Sequence, residues 1–220
     1  MAEKRELNRM IDHTLLRQDA SEEEIRALTE EAVRLKTASV CVNSCWTELV
    51  HGLLEGTGIR TCVVVGFPLG ACLPEVKAFE ASESVRRGAE EIDMVINVGY
   101  IKSGRMEDAM RDIEGVVRAV RGKAKVKVIL EACLLTKEEI VACCEIAEAA
   151  CADFVKTSTG FSRGGATEED VRLMRASVSP HVGVKAAGGI RSREAALRMI
   201  EAGADRIGAS ATAKILAEED

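Results

Sequence analysis

The sequence predicts a (β/α)8 barrel, the TIM barrel, with an extra helical segment at the N-terminus. Three observations carry this. Eight short apolar segments alternate with amphipathic helical stretches almost end to end, the pattern of a parallel sheet with crossover helices. Eight strands close such a barrel, and 220 residues lie at the small end of its range. The rival, an open doubly wound sheet, predicts a nucleotide fingerprint after its first strand. Neither G-x-G-x-x-G nor G-x-x-x-x-G-K-[ST] occurs. No linker or low-complexity segment divides the chain, so residues 1–220 read as one domain.

The strand segments are Met10–Thr14, Ser39–Asn43, Arg60–Val65, Glu91–Val95, Lys125–Leu130, Asp153–Lys156, Gly183–Ala186 and Arg206–Ala209. Helices are expected between them. Ser21 with Glu24 forms a capping box for Glu22–Lys36, and Thr136 with Glu139 does the same for Lys137–Ala150. Thr167, with Asp170 three residues on, opens Glu168–Ala176; Ser192 opens Arg193–Glu201, which Gly203 ends. Glu75–Arg87 and Met106–Arg121 complete the set, and a final helix starts after Ser210.

Alternation along each strand assigns its faces. Ile92, Met94 and Ile96 form one apolar set, which turns Asp93 into the barrel. Val126, Val128 and Leu130 outward place Lys127 inward; Val155 and Val184 outward place Lys156 and Lys185 inward. Asp12 and Thr14 share one face. A plain barrel interior is filled by branched aliphatics. A lumen carrying three lysines and two aspartates is therefore the strongest sign of an active site.

Lys156 and Lys185 lie in the segments Asp153–Thr157 and Val182–Ala186, which are followed at once by Ser158-Thr159-Gly160 and Ala187-Gly188-Gly189. Two unit charges ~4 Å apart at an effective dielectric of ~20 repel by roughly 4 kcal/mol. At about 1.4 kcal/mol per tenfold, one amine then loses its proton roughly a thousandfold more readily. A neutral lysine attacks carbonyls and forms an imine. The imine is an electron sink, so carbon–carbon bond chemistry follows, with Asp93 moving protons through a bound water. The bland reading of a strand lysine is an edge residue with its ammonium in water. Asp93 also reads as a salt-bridge partner for Lys127 or Lys185, a role compatible with proton transfer. Asp12 belongs to the same polar network.

Gly188, Gly189, Gly208 and Ser210 follow the last two strands. Backbone N–H groups at such turns bind phosphate, and barrels place phosphate there. Gly160 and the loop 161–167 lie at the same mouth, where Arg163 is either a solvated charge or a phosphate ligand.

Composition excludes other classes. The net charge of −6 and the 3% aromatic content argue against nucleic-acid partners. Met1 to Met10 lacks the apolar core of a secretory signal, and no apolar run approaches a membrane span. The cytoplasm is the expected compartment. Eight cysteines show no CxxC pair, which favours free thiols in a reducing compartment, with Cys41 buried in the barrel wall. Three histidines and no HExxH motif make a histidine-based metal site unexpected.

At these residues the chain resembles the deoxyribose-phosphate aldolases. The matching segments include Asp12-His13-Thr14, Glu91 to Asn97, Lys127 to Glu131, Phe154 to Gly160, Val184 to Arg191 and Arg206 to Ser210. The resemblance implies a class I aldolase that reversibly cleaves 2-deoxy-D-ribose 5-phosphate to acetaldehyde and D-glyceraldehyde 3-phosphate. It implies Lys156 as the Schiff-base lysine, Lys185 as the neighbour that eases its deprotonation, and Asp93 as the proton relay. Lys127, Asp12 and Thr14 match the supporting polar network; Gly188, Gly189 and Ser210 match the phosphate turns. It implies no metal, no organic cofactor, small phosphosugar and aldehyde substrates, and a homo-oligomer, dimer or tetramer. Two departures stand out: Ala211 replaces a second serine, and the tail 217–220 carries no tyrosine. Residue chemistry alone leaves open another imine-forming aldolase and a non-catalytic phosphosugar-binding barrel.

Overall fold

Branched and apolar residues at every second position make each strand a ribbon with one greasy face, and in parallel strands that face needs a helix to cover it. The computed structural model describes residues 6–217 and meets this need with a closed barrel, β1-β2-β3-β4-β5-β6-β7-β8, every neighbour parallel. The strands are β1 (Ile11–Leu15), β2 (Ser39–Asn43), β3 (Arg60–Val65), β4 (Glu91–Val95), β5 (Lys125–Ile129), β6 (Phe154–Lys156), β7 (Gly183–Ala187) and β8 (Arg206–Ala209). All eight predicted strands are present, with ends moved by at most one residue. The extra N-terminal segment is a single 3-10 turn, Leu7–Met10. Residues 1–5 and the acidic tail 218–220 lie outside the described residues.

The helices are α1 (Glu22–Leu35), α2 (Thr47–Leu54), α3 (Pro74–Arg86), α4 (Val98–Lys102), α5 (Met106–Val120), α6 (Lys137–Ala149), α7 (Glu168–Ala176), α8 (Arg193–Glu201) and α9 (Thr212–Leu216). Both capping boxes form, at Ser21–Glu24 and Thr136–Glu139. Thr167 and Ser192 accept from Asp170 N and Ala195 N at 3.1 and 3.2 Å. Each cap stabilises its helix start by about 1 kcal/mol. Two helices escape the sequence reading. The N-cap of α2 is Trp46, which offers no capping side chain, and α4 is only five residues long.

The outward set, Ile92, Met94, Ile96, Val126, Val128, Leu130, Val155 and Val184, packs into one core against the helices. Burial of each such side chain contributes about 1.5–3 kcal/mol. Inside the barrel the apolar filling is small: Leu16, Cys41, Cys62 and Val64, with Phe67 at its edge. Polar side chains occupy the rest. Among the described residues, no helix is long and apolar enough to cross a membrane.

Candidate active site

Register sets the site. Lys156 pairs with Lys185 across β6–β7, and Asp93 pairs with Lys127 across β4–β5. Because paired residues in a sheet point the same way, all four side chains enter the lumen together. Asp93 Oδ2 receives Lys156 Nζ at 2.8 Å and Lys185 Nζ at 2.7 Å, while Asp93 Oδ1 receives Lys127 Nζ at 2.7 Å. Asp12 holds the other side of Lys185 at 2.5 Å and accepts from Ser39 Oγ and Arg206 Nη1, each at 2.6 Å. Glu91 closes the floor, 2.7 Å from Lys127 Nζ and 3.2 Å from Arg206 Nη1.

Burial alone would drive these carboxyls to keep their protons. The lumen cations outweigh it. Burial opposes ionisation of Asp93, yet Lys127, Lys156 and Lys185 hold it well below the ordinary aspartate range. Lys185, Arg206 and Lys127 do the same for Asp12. In return, Lys185 and Lys127 lie above the ordinary lysine range: burial opposes their charge, and the surrounding carboxylates more than offset it.

Five cationic side chains (Lys127, Lys156, Lys185, Arg206 and the more exposed Arg60) meet three carboxylates (Asp12, Glu91, Asp93). Lys127, Lys185 and Arg206 each contact two or more of these carboxylates, whereas Lys156 contacts only Asp93. The sequence reading treats Lys156 and Lys185 as bare neighbouring charges. The structure instead gives them one shared carboxylate oxygen, which attenuates their repulsion.

Above Lys156 opens a cavity of about 440 Å³. Of the three lumen lysines only Lys156 lines it. Thr14, Gly160, Gly188, Gly189, Gly208 and Ser210 form its other walls, which collects the whole predicted phosphate-turn set at one mouth. Thr14 sits at the wall with its hydroxyl donated to the Asp12 carbonyl at 2.8 Å, apart from the carboxylate network. At Gly208 a Cβ would lie 3.0 Å from Ala187 Cβ and 3.1 Å from Lys185 Cε, so a side chain there would press on the lysine. The loop 161–167 is tied to the β7 turn by Ala166 N donating to Gly188 O at 3.0 Å. Arg163 donates to the Cys133 carbonyl, from Nη2 at 3.1 Å. A larger groove of about 660 Å³ runs over His13 between β1 and α1; it contains none of the lumen lysines.

Sequence reasoning missed four site residues. Glu91 and Arg206 open their strands on the lumen face, two residues before Asp93 and Gly208, so alternation carried the signal. Arg17 and Arg191 line the cavity together with the predicted phosphate turns, and Arg17 is paired with Asp19 and Glu24. Cys41 is fully buried and faces the lumen beside Cys62. Cys41, Cys62 and Asp93 offer ligand atoms within 4.8 Å of one another.

Comparison with known proteins agrees with the barrel fold. A family model described as DeoC/LacD family aldolase matches residues 8–215. A deoxyribose-phosphate aldolase of Clostridium novyi is 59% identical over 210 residues, covering 96% of this chain and 95% of that protein. One from Clostridium tetani is 56% identical over 213 residues, covering 97% and 99%. The tetrameric deoxyribose phosphate aldolase of Aeropyrum pernix superposes with a TM-score of 0.89 at 38% identity, covering 96% of this chain and 89% of that one. With the match spanning nearly the whole barrel, the chain belongs to the DeoC/LacD family of aldolases.

Proposed function

We propose that this chain is a class I deoxyribose-phosphate aldolase, reversibly cleaving 2-deoxy-D-ribose 5-phosphate to D-glyceraldehyde 3-phosphate and acetaldehyde through a Schiff base on Lys156. The observation that carries the assignment of roles is that Lys156 alone among the lumen lysines lines the cavity. Its close relatives' activity supports the choice of substrate.

Neutral Lys156 Nζ attacks C1 of the open-chain sugar, and loss of water gives the protonated imine. The C3 hydroxyl gives up its proton, the C2–C3 bond breaks, and its electron pair moves into the C1–C2 enamine. C3 leaves as the aldehyde of glyceraldehyde 3-phosphate. Protonation of C2 and hydrolysis of the imine then release acetaldehyde and restore the amine. Asp93, kept ionised by Lys127 and Lys185, takes and returns the proton, through water where the distance requires it. Lys185, held protonated by Asp12 and Asp93, supplies a fixed positive charge beside Lys156. Lys127, Asp12, Glu91 and Arg206 hold Asp93 and Lys185 in place. Backbone N–H groups at Gly160, Gly188, Gly189, Gly208 and Ser210, with Arg17 and Arg191 nearby, receive the phosphate.

No metal or organic cofactor enters this scheme, since the imine itself stores the electron pair. A single domain over residues 1–220, the cytoplasm as compartment and a homo-oligomer as assembly belong to the same proposal; the tetrameric Aeropyrum pernix relative supports the last. Borohydride reduction with acetaldehyde, followed by peptide mapping, tests it. The adduct is expected on Lys156, and an adduct on Lys185 or Lys127 instead would overturn the assignment.

A further inference from the structure

Glu131 is the feature the scheme above leaves unused. It sits just past the end of β5 in the left-handed region, at φ 47 and ψ 56. A residue other than glycine rarely holds that conformation, because its Cβ crowds the following carbonyl oxygen. Among the described residues two other non-glycine residues share a positive φ, Lys36 and Cys151, and both lie where a helix ends. Glu131 lies at a strand end beside the cavity.

Just past the last β5–β6 pair, Ile129 with Lys156, the two chains run out of step as in a β-bulge. Leu130 N donates to Lys156 O at 2.9 Å and Ala132 N to Thr157 O at 2.8 Å. Two steps on the β5 side thus match one step on the β6 side, leaving Glu131 as the extra residue. Bulges of this kind re-aim a side chain next to a site. Here the buried carboxylate turns toward the turn that follows Lys156. It accepts the Thr159 hydroxyl and, at 3.3 Å, the Thr159 N–H. Thr159 Oγ1 in turn accepts Phe161 N–H at 3.0 Å. Thr159, Gly160 and Phe161 all line the 440 Å³ cavity with Lys156. Among the described residues no lysine or arginine pairs with Glu131, so the two Thr159 donors are its strongest partners, with only a long Cys133 Sγ contact besides. Charge-assisted bonds to a buried carboxylate are strong and directional.

We propose that Glu131 is a positioning residue. It clamps the 159–161 turn through Thr159 and thereby sets the phosphate end of the cavity relative to Lys156. This rests on the phosphosugar reading above. The class of ligand it affects is the phosphorylated substrate, and the amine chemistry at Lys156 proceeds without it.

The test uses Glu131→Ala and Glu131→Gln in the full chain. Steady-state kinetics are compared on 2-deoxyribose 5-phosphate and on unphosphorylated 2-deoxyribose, with borohydride trapping of acetaldehyde as a separate readout. Losing the charged partner should raise KM for the phosphorylated sugar by roughly ten- to a hundredfold. Trapping and kcat/KM for 2-deoxyribose should stay within about twofold, and Glu131→Gln should recover part of the KM through its remaining carbonyl acceptor. Equal losses on both sugars, slowed trapping, or an unchanged KM would overturn the proposal. If Glu131→Ala does not fold, Thr159→Val removes the same clamp from the other side and must show the same split. Binding of inorganic phosphate, measured calorimetrically on wild type and variants, separates the two readings. Wild type that traps acetaldehyde yet leaves the phosphosugar intact ends the substrate assignment; phosphate affinity unchanged by Glu131→Ala ends the clamp.

Discussion

Lys156 and Lys185 converge on the same atom, Asp93 Oδ2, at 2.8 and 2.7 Å. Their shared register across β6–β7 makes this convergence a property of the backbone as much as of the side chains. That oxygen is shared between two amines, and the other oxygen of the carboxylate already serves Lys127. Lys185 has Asp12 in addition, whereas Lys156 has no further carboxylate partner among the described residues.

Lys185→Leu should therefore raise the pH at which acetaldehyde forms its adduct on Lys156, because the neighbouring positive charge is gone. Turnover near neutral pH should fall by roughly a hundredfold or more. The pH profile of borohydride trapping checks this, and an unchanged profile would remove the role given to Lys185.

Asp93→Asn leaves three lysines around a neutral amide. Breaking a buried ion cluster in this way costs about 3–5 kcal/mol. Urea denaturation should show a loss of that size, and turnover should fall by roughly 10² to 10⁴ with the proton carrier removed. A variant of wild-type stability and activity would refute the central place of this carboxylate.

The two glycine turns should fail differently. A Cβ on Gly189 meets nothing within 4 Å, but the residue has φ +80, so Gly189→Ala strains only the phosphate turn. It should raise KM for the phosphosugar with little change in kcat, at a cost of roughly 1–2 kcal/mol in stability. Gly208→Ala pushes on Lys185 Cε and should lower kcat as well. Kinetics on both variants separate the two effects.

Stability should fall on acidification in two stages. His13 is buried between Thr212 Oγ1 at 2.7 Å and Glu31 Oε2 at 3.1 Å, and burial outweighs Glu31 to hold its pKa below the ordinary histidine value. The unfolded chain then binds the proton first, so stability is lost as pH drops below about 6.5. Asp12 and Asp93 are depressed in the fold, so their contribution is full above about 3.9 and is lost as pH falls from there toward their folded values. Lys127 and Lys185 are raised in the fold, and their contribution is full below about 10.4 and is lost as pH rises through their folded values. His13→Gln should flatten the first stage only, as measured by chemical denaturation between pH 5 and 8.

Thiol reactivity should follow burial. Cys143 and Cys144 are pushed up to about 12 by burial, whereas Cys45 and Cys151 are exposed. A thiol reagent at pH 8 should label Cys45 and Cys151 rapidly and reach Cys143 and Cys144 only after unfolding. Rapid labelling of the last two in the native protein would show that α6 does not pack as described.

What could be read in advance were features with a local cause. Alternation put Asp93, Lys127, Lys156 and Lys185 on one face because a strand has period two regardless of its surroundings. Capping boxes placed α1 and α6 because a cap acts within one turn. α2 escaped because nothing local marks its start, and the helix forms through burial of Val50 and Leu54 against the barrel. Glu91 and Arg206 obeyed the same alternation, yet their partners come from strands far apart in sequence, and nothing local tells a lumen ion pair from a polar strand end.

By itself, then, the order of residues determined the barrel, its inward lysines and aspartates, and its glycine turns, since each follows from backbone geometry over a few residues. Only barrel closure decided which carboxylate oxygen serves which amine, that of the lumen lysines Lys156 alone faces the cavity, and that Glu131, just past the end of β5, grips Thr159. Those outcomes depend on distances of a few ångströms between segments tens of residues apart, which register and packing set and local propensity does not encode.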